Sequence, residues 1–144
     1  VILVDTNILV RSVYPPDPHY EIAARALSTL TARNEILCIA PQNIIEFWAV
    51  ATRPRNENGL GLESVTAEQE IEIMMRLFLL LAYTPQVFHT WRHIVFTQGV
   101  LGKQTHDAHL VALMQVHAVE SILTFNSSHF KRYSGINVLD PAQV

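Results

Sequence analysis

The stretch Val1-Ile2-Leu3-Val4-Asp5-Thr6-Asn7 decides how the rest of the chain is read: an apolar run, then an acid, then two small polar residues. β-Branched residues dominate the run, which favours a strand. The run has no polar alternation, so both faces of that strand are expected to be covered, as in a parallel sheet between layers of helices. Asp5 then stands at the carboxyl end of the strand, the edge where open α/β sheets bind their ligands. The same place suits an acid that caps the next helix, with Thr6 and Asn7 in the turn. The residues leave both readings open.

Further along, residues 36–40, 121–124 and 136–139 have the same short apolar character. Helical spacing fills the stretches between them. Residues 19–33 place Ile22, Ala23, Ala26, Leu27 and Leu30 on one side. Pro41 suits a first helical turn and predicts a helix to Thr52. Thr66, with Gln69 at capping-box spacing, predicts a helix to about Phe78. Pro85 predicts another through Val95, and Thr105 caps one to about His117. Strands that alternate with helices imply βαβ units and an α/β fold. Residues 53–64, with Pro54, Asn56, Asn58, Gly59 and Gly61, read as an insertion within one domain spanning 1–144.

Composition narrows the class. Hydrophobic residues make up 49% of the chain and charged ones only 16%, enough apolar material for a core and too much for a disordered chain. The formal net charge is −3, so no global positive field draws in nucleic acid, which speaks against a pure nucleic-acid binding module. The single cysteine, Cys38, cannot form an internal disulfide and fits a buried position in a reducing compartment. No apolar run is long enough for a membrane span or a signal peptide, so the expected location is the cytoplasm.

Two further acids share the character of Asp5. Glu46 sits in Ile44-Ile45-Glu46-Phe47-Trp48-Ala49-Val50, apolar on nearly every side, which predicts a buried helix. An ionised carboxylate there needs a cation, whether a metal or a distant Arg, or else an exposed edge of the helix. Asp107, in Thr105-His106-Asp107, falls in a first helical turn, where the helix dipole favours an acid. Were the three to converge, their repulsion would force some to protonate unless a hard divalent ion intervened. Oxygen ligands with few imidazoles point to magnesium or manganese. Such an ion suits phosphodiester hydrolysis.

The ordered set Ile2-Leu3-Val4-Asp5-Thr6-Asn7-Ile8-Leu9, Asn43-Ile44-Ile45-Glu46-Phe47, Thr105-His106-Asp107-Ala108-His109-Leu110-Val111-Ala112 and Leu123-Thr124-Phe125-Asn126…Phe130 resembles the PIN domain, in particular the VapC-type toxins of toxin–antitoxin pairs. The resemblance runs over nearly the whole chain. It implies a three-layer α/β/α sandwich with a central parallel sheet. It also implies a ribonuclease dependent on Mg2+ or Mn2+, with an antitoxin partner and a tendency to form homodimers. Asp5, Glu46 and Asp107 match the family's catalytic metal ligands, and Thr6 matches a supporting hydroxyl. Many members carry a further acid where this chain reads Asn126-Ser127-Ser128-His129-Phe130. Asn126 offers only an amide oxygen there, which predicts a weaker second metal site, and His129 is a candidate contact to metal or RNA.

Several other residues carry expectations. Lys103, beside Gly102, is a candidate phosphate contact. His106 and His109 have transition-metal spacing but no Cys or further His grouped with them. The apolar residues 77–82 read either as a buried helix end running into a strand or as a surface for a second copy or an antitoxin. Two rival functions remain: a degenerate PIN-like module that binds RNA or a partner without cutting, and an all-helical HD-type metal phosphohydrolase suggested by His106-Asp107.

Overall fold

The computed structural model describes residues 1–144. Five short strands form one parallel sheet: β1 (Ile2–Val4), β2 (Leu37–Ile39), β3 (Leu79–Leu80), β4 (Ser121–Leu123) and β5 (Asn137–Leu139). Their order is β3-β2-β1-β4-β5, so the opening strand lies at the centre. The helices are α1 (Thr6–Ser12), α2 (Tyr20–Ala32), α3 (Pro41–Thr52), α4 (Ser64–Leu77), α5 (Pro85–Thr97), α6 (Gln104–Val116) and α7 (Ser127–Phe130). The parallel sheet removes the all-helical HD-type alternative.

The period of two along each strand splits the apolar residues between two cores. Ile2, Val4, Leu37, Ile39 and Leu123 face α1, α2, α3 and α4, where Ile8, Ala26, Phe47 and Met74 pack against them. Leu3, Cys38 and Ile122 face the other way, onto Val87 and Ile94 of α5 and the buried side of α6. The result is the expected α/β/α sandwich. Cys38 is buried, as its apolar setting predicts. No helix is long and apolar enough to cross a membrane.

Several local expectations change. α4 begins at Ser64, with Glu63 at the N-cap position, so Thr66 lies inside the helix and does not cap it. α6 begins at Gln104 because Gly102, at φ +57°, turns the chain just before it. The Thr105 hydroxyl donates back to the Gly102 carbonyl (2.8 Å) instead of capping. Residues 77–82 do contain a strand, but it is an edge strand and not a buried one: Leu77 is 69% exposed and Leu79 54%, while only Leu81 is buried. Residues 53–63 form a loop with a short 3-10 helix (Arg55–Glu57), pinned to the end of α3 by Leu60 N donating to Val50 O and Leu62 N to Ala51 O, and residue 64 already opens α4. A Cβ at Gly59 would lie 1.9 Å from the Arg53 carbonyl oxygen, so only glycine passes there.

Candidate active site

The chain reverses its direction of travel across the sheet at β1, which has β2 on one side and β4 on the other. Such a switch point leaves a crevice beyond the carboxyl ends of the two strands. Asp5 follows β1 and Thr124 follows β4, and their side chains meet there: Thr124 Oγ1 donates to Asp5 Oδ2 (2.6 Å). Asn7 Nδ2 donates to the same oxygen (2.7 Å), while Asn7 Oδ1 accepts from Phe125 N (3.2 Å). Asp5 does occupy the N-cap position of α1, but its side chain makes no capping hydrogen bond. Its carboxylate is held for the crevice, and the simple capping explanation fails.

Glu46 lies on α3 across the crevice. The expectation of a helix buried on nearly every side is wrong: Phe47 is fully buried, but Ile45 is 70% exposed and Trp48 37%. Apolar sequence could not tell a second core face from an uncovered surface. Glu46 sits at the border of the two. Thr6 Oγ1 donates to its Oε2 (2.7 Å), and Gln42 Nε2 to its Oε1 (2.7 Å). Asn43 Nδ2 in turn donates to Thr6 Oγ1 (3.1 Å), and its Oδ1 accepts from Ala40 N (2.7 Å) at the start of α3. The Thr6 hydroxyl therefore supports Glu46, and Thr6 meets Asp5 only through its backbone.

Asp107 stands in the first turn of α6, as its spacing predicts. Its Oδ2 lies 3.1 Å from His129 Nδ1 on α7. No Lys or Arg pairs with Asp5, Glu46 or Asp107; the only ion-pair geometry any of them makes is Asp107 with His129. Burial pushes the Asp5 carboxyl up to about 6; the Thr124 and Thr6 hydrogen bonds oppose the shift, and the charges of Asp107 and Glu46 add to it. Burial also raises Asp107, with His129 holding it back and Glu46 adding to the rise.

These groups line one open cleft of about 630 Å3, together with Asn126, His129, Lys103 and Arg11. Every residue singled out in the sequence as catalytic, supporting or RNA-contacting is thus on its wall. As arranged, no three His, Cys, Asp or Glu side chains form a ready-made metal cage. His109 is turned to Gln42 and stacked on Tyr83, so His106 and His109 do not act as a pair. Sequence reasoning passed over Asn7, Gln42, Asn43 and Thr124 as site residues. Asn7 and Gln42 stand two and four residues from the acids they hold, a spacing that could have marked them, whereas Asn43 and Thr124 meet Thr6 and Asp5 across 37 and 119 positions.

The family model of the PIN domain matches residues 2–136. No curated protein sequence matches. Among solved structures, a chain of VapBC-1 from nontypeable Haemophilus influenzae is similar with a TM-score of 0.69 and 15% identity, covering 97% of each chain. A chain of VapBC2 from Rickettsia felis, bound to a promoter DNA fragment, gives 0.67 and 16%, covering 96% of each. VapC20 of Mycobacterium tuberculosis, described as a sarcin-ricin loop cleaving toxin, gives 0.67 and 16%, covering 92% of this chain and 95% of that one. At such identities the likeness is one of fold.

Proposed function

This chain belongs to the PIN domain family, and from that premise we propose that its acidic cleft is the active site of a Mg2+- or Mn2+-dependent endoribonuclease. The observation that carries the reading is the convergence of Asp5, Glu46 and Asp107 on one cleft with no Lys or Arg in ion-pair contact with any of them. A desolvated Asp5 facing two other acids is costly without a cation.

The donor set fits a hard divalent ion. Both side-chain hydrogen bonds to Asp5 land on Oδ2, and the His129 contact to Asp107 is on Oδ2 alone. Asp5, Glu46 and Asp107 would hold the ion, with Asn126 as a weaker amide donor toward a second one. A bound ion would supply an ionised water and offset charge on the phosphodiester. The chain's own groups do the rest. Asn7 and Thr124 fix Asp5, Thr6 and Gln42 fix Glu46, and His129 orients Asp107. Lys103 and Arg11, both on the cleft wall, would meet RNA phosphates flanking it.

The toxin reading draws on the solved structures, which include a toxin–antitoxin complex from Klebsiella pneumoniae and a sarcin-ricin loop cleaving toxin. On that reading the chain would work in the cytoplasm with an antitoxin partner. Two surfaces support partners. Leu9, Leu27, Ile73, Met74, Leu77 and Phe78 line an apolar groove between α1, α2 and α4, fit for an antitoxin helix. Ile45 and Trp48 on α3, Phe88 on α5 and Tyr83 in the loop before α5 are exposed apolar side chains, a surface fit for a homodimer.

One observation favours a second reading, a PIN-like module that binds without cutting: Asn126 and His129 stand in the cleft where a further acid would add charge. RNA cleavage by the purified chain separates the two. We expect cleavage with Mg2+, none with chelator, and none for Asp5→Asn. Cleavage that survives both chelator and the substitution refutes the metal-nuclease reading. RNA binding without cleavage in Mg2+ favours the module.

A further inference from the structure

We infer that Gln42 is a positioning residue for Glu46, and that His109 sets which way its amide points. The inference rests on the ribonuclease reading for its activity arm but not for its spectroscopic one. Gln42 and Glu46 lie one turn apart on α3, a spacing at which an exposed Gln–acid contact is weak. Here the Gln42 amide has no such freedom. Its Nε2 reaches Glu46 Oε1 (2.7 Å) and the His106 carbonyl oxygen (3.1 Å), and its Oε1 meets His109 Nδ1.

Both partners of Nε2 are pure acceptors, so the amino group must lie on that side and the carbonyl on the other. The carbonyl then requires a donor from His109, which assigns the proton to Nδ1. The His109 ring is fixed in turn by stacking on Tyr83, with centroids 5.4 Å apart and planes 24° from parallel. The two amide atoms thus tie Glu46 on α3 to α6, the helix that carries Asp107. Thr6 fixes the other Glu46 oxygen from α1. The Thr6 clamp links Glu46 to the start of α1, next to Asp5, and the Gln42 clamp links it to α6, which bears Asp107.

The test uses Gln42→Met, which keeps length and helix preference but removes donor and acceptor, with His109→Ala and the double variant. Outer partners of metal-holding carboxylates typically affect activity by about 10-fold to 100-fold. Gln42→Met should lower kcat for RNA by about tenfold or more, with KM nearly unchanged. His109→Ala should lower it less, and the double variant should be no worse than Gln42→Met alone. His109→Gln, which can still donate to Gln42, should recover most of the loss.

Unchanged kcat in Gln42→Met, or fully additive losses in the double variant, would overturn the inference. A second measurement needs no activity. Nitrogen-15 spectra of histidine-labelled protein should show the Nδ1–H tautomer for His109 in the wild type and its loss in Gln42→Met. A wild-type His109 carrying its proton on Nε2 overturns the inference, whereas a wild type that shows the Nδ1–H form yet fails to cut RNA overturns only the ribonuclease reading.

Discussion

Asp5→Asn should make the metal-free protein more stable while abolishing cleavage. In the folded protein the Asp5 carboxyl titrates near 6, against an ordinary value of 3.8, chiefly because it is buried. At 1.36 kcal/mol for each pH unit, ionising it at neutral pH costs the folded state about 3 kcal/mol. Asparagine keeps an oxygen that can accept from Asn7 Nδ2 and Thr124 Oγ1, and it carries no charge. The sign follows from the raised folded value: the contribution of protonated Asp5 is fully present below pH 3.8 and is lost as pH rises through about 6. Urea unfolding in chelator should therefore show the two proteins close together near pH 3.8. The variant should pull ahead as pH climbs, reaching an advantage of up to about 3 kcal/mol at pH 7 to 8. Adding Mg2+ should narrow the gap by stabilising the wild type alone. An advantage that does not change with pH, or a variant less stable than wild type in chelator at pH 7, would refute the reasoning.

Three other outcomes can be checked. Lys103→Ala should weaken RNA binding and flatten the salt dependence of log K by about 0.7, the share of one phosphate on a single strand; an unchanged slope removes Lys103 from the interface. His129→Asp puts a carboxylate in the cleft beside Asp107, so half-maximal cleavage should need less Mg2+, while the melting temperature in chelator should drop. Phe47→Ala empties a fully buried position on α3 and should cost about 3–5 kcal/mol in urea unfolding, with the slope unchanged.

Much of the architecture was legible because it rests on local patterns. Short apolar runs without alternation marked β1, β2, β4 and β5, and Pro41 and Pro85 marked two helix starts. β3 was harder to place, since a two-residue edge strand with exposed leucines looks like the tail of a helix. The Thr66 and Thr105 caps misled because a hydroxyl before an apolar run is only one way to begin a helix; glycine and the preceding turn decided the second case. In the site, the acids stood out because charge is conspicuous beside apolar residues. Their supports did not. Asn7 and Gln42 lie close in sequence to the acids they hold, but their other contacts, to Thr124 across 117 positions and to the His106 carbonyl across 64, are encoded by no local pattern. Glu46 was singled out on an argument that was partly wrong, since the apolar residues around it are an uncovered surface as much as a core.

The place of β1 at the centre of the sheet also governs when the site can exist. The Asp5 carboxylate depends on Thr124, 119 positions further along. At ribosomal speeds of about 5–20 residues per second, synthesis alone separates the two by about 6–24 s. Parallel pairing between β1 and β4 then has to close that long loop, which is intrinsically slow. Throughout that interval the nascent chain carries its acids but not the crevice that holds them. On the ribonuclease reading proposed above, the chain would thus remain harmless to the ribosome and message producing it until nearly the whole domain had emerged.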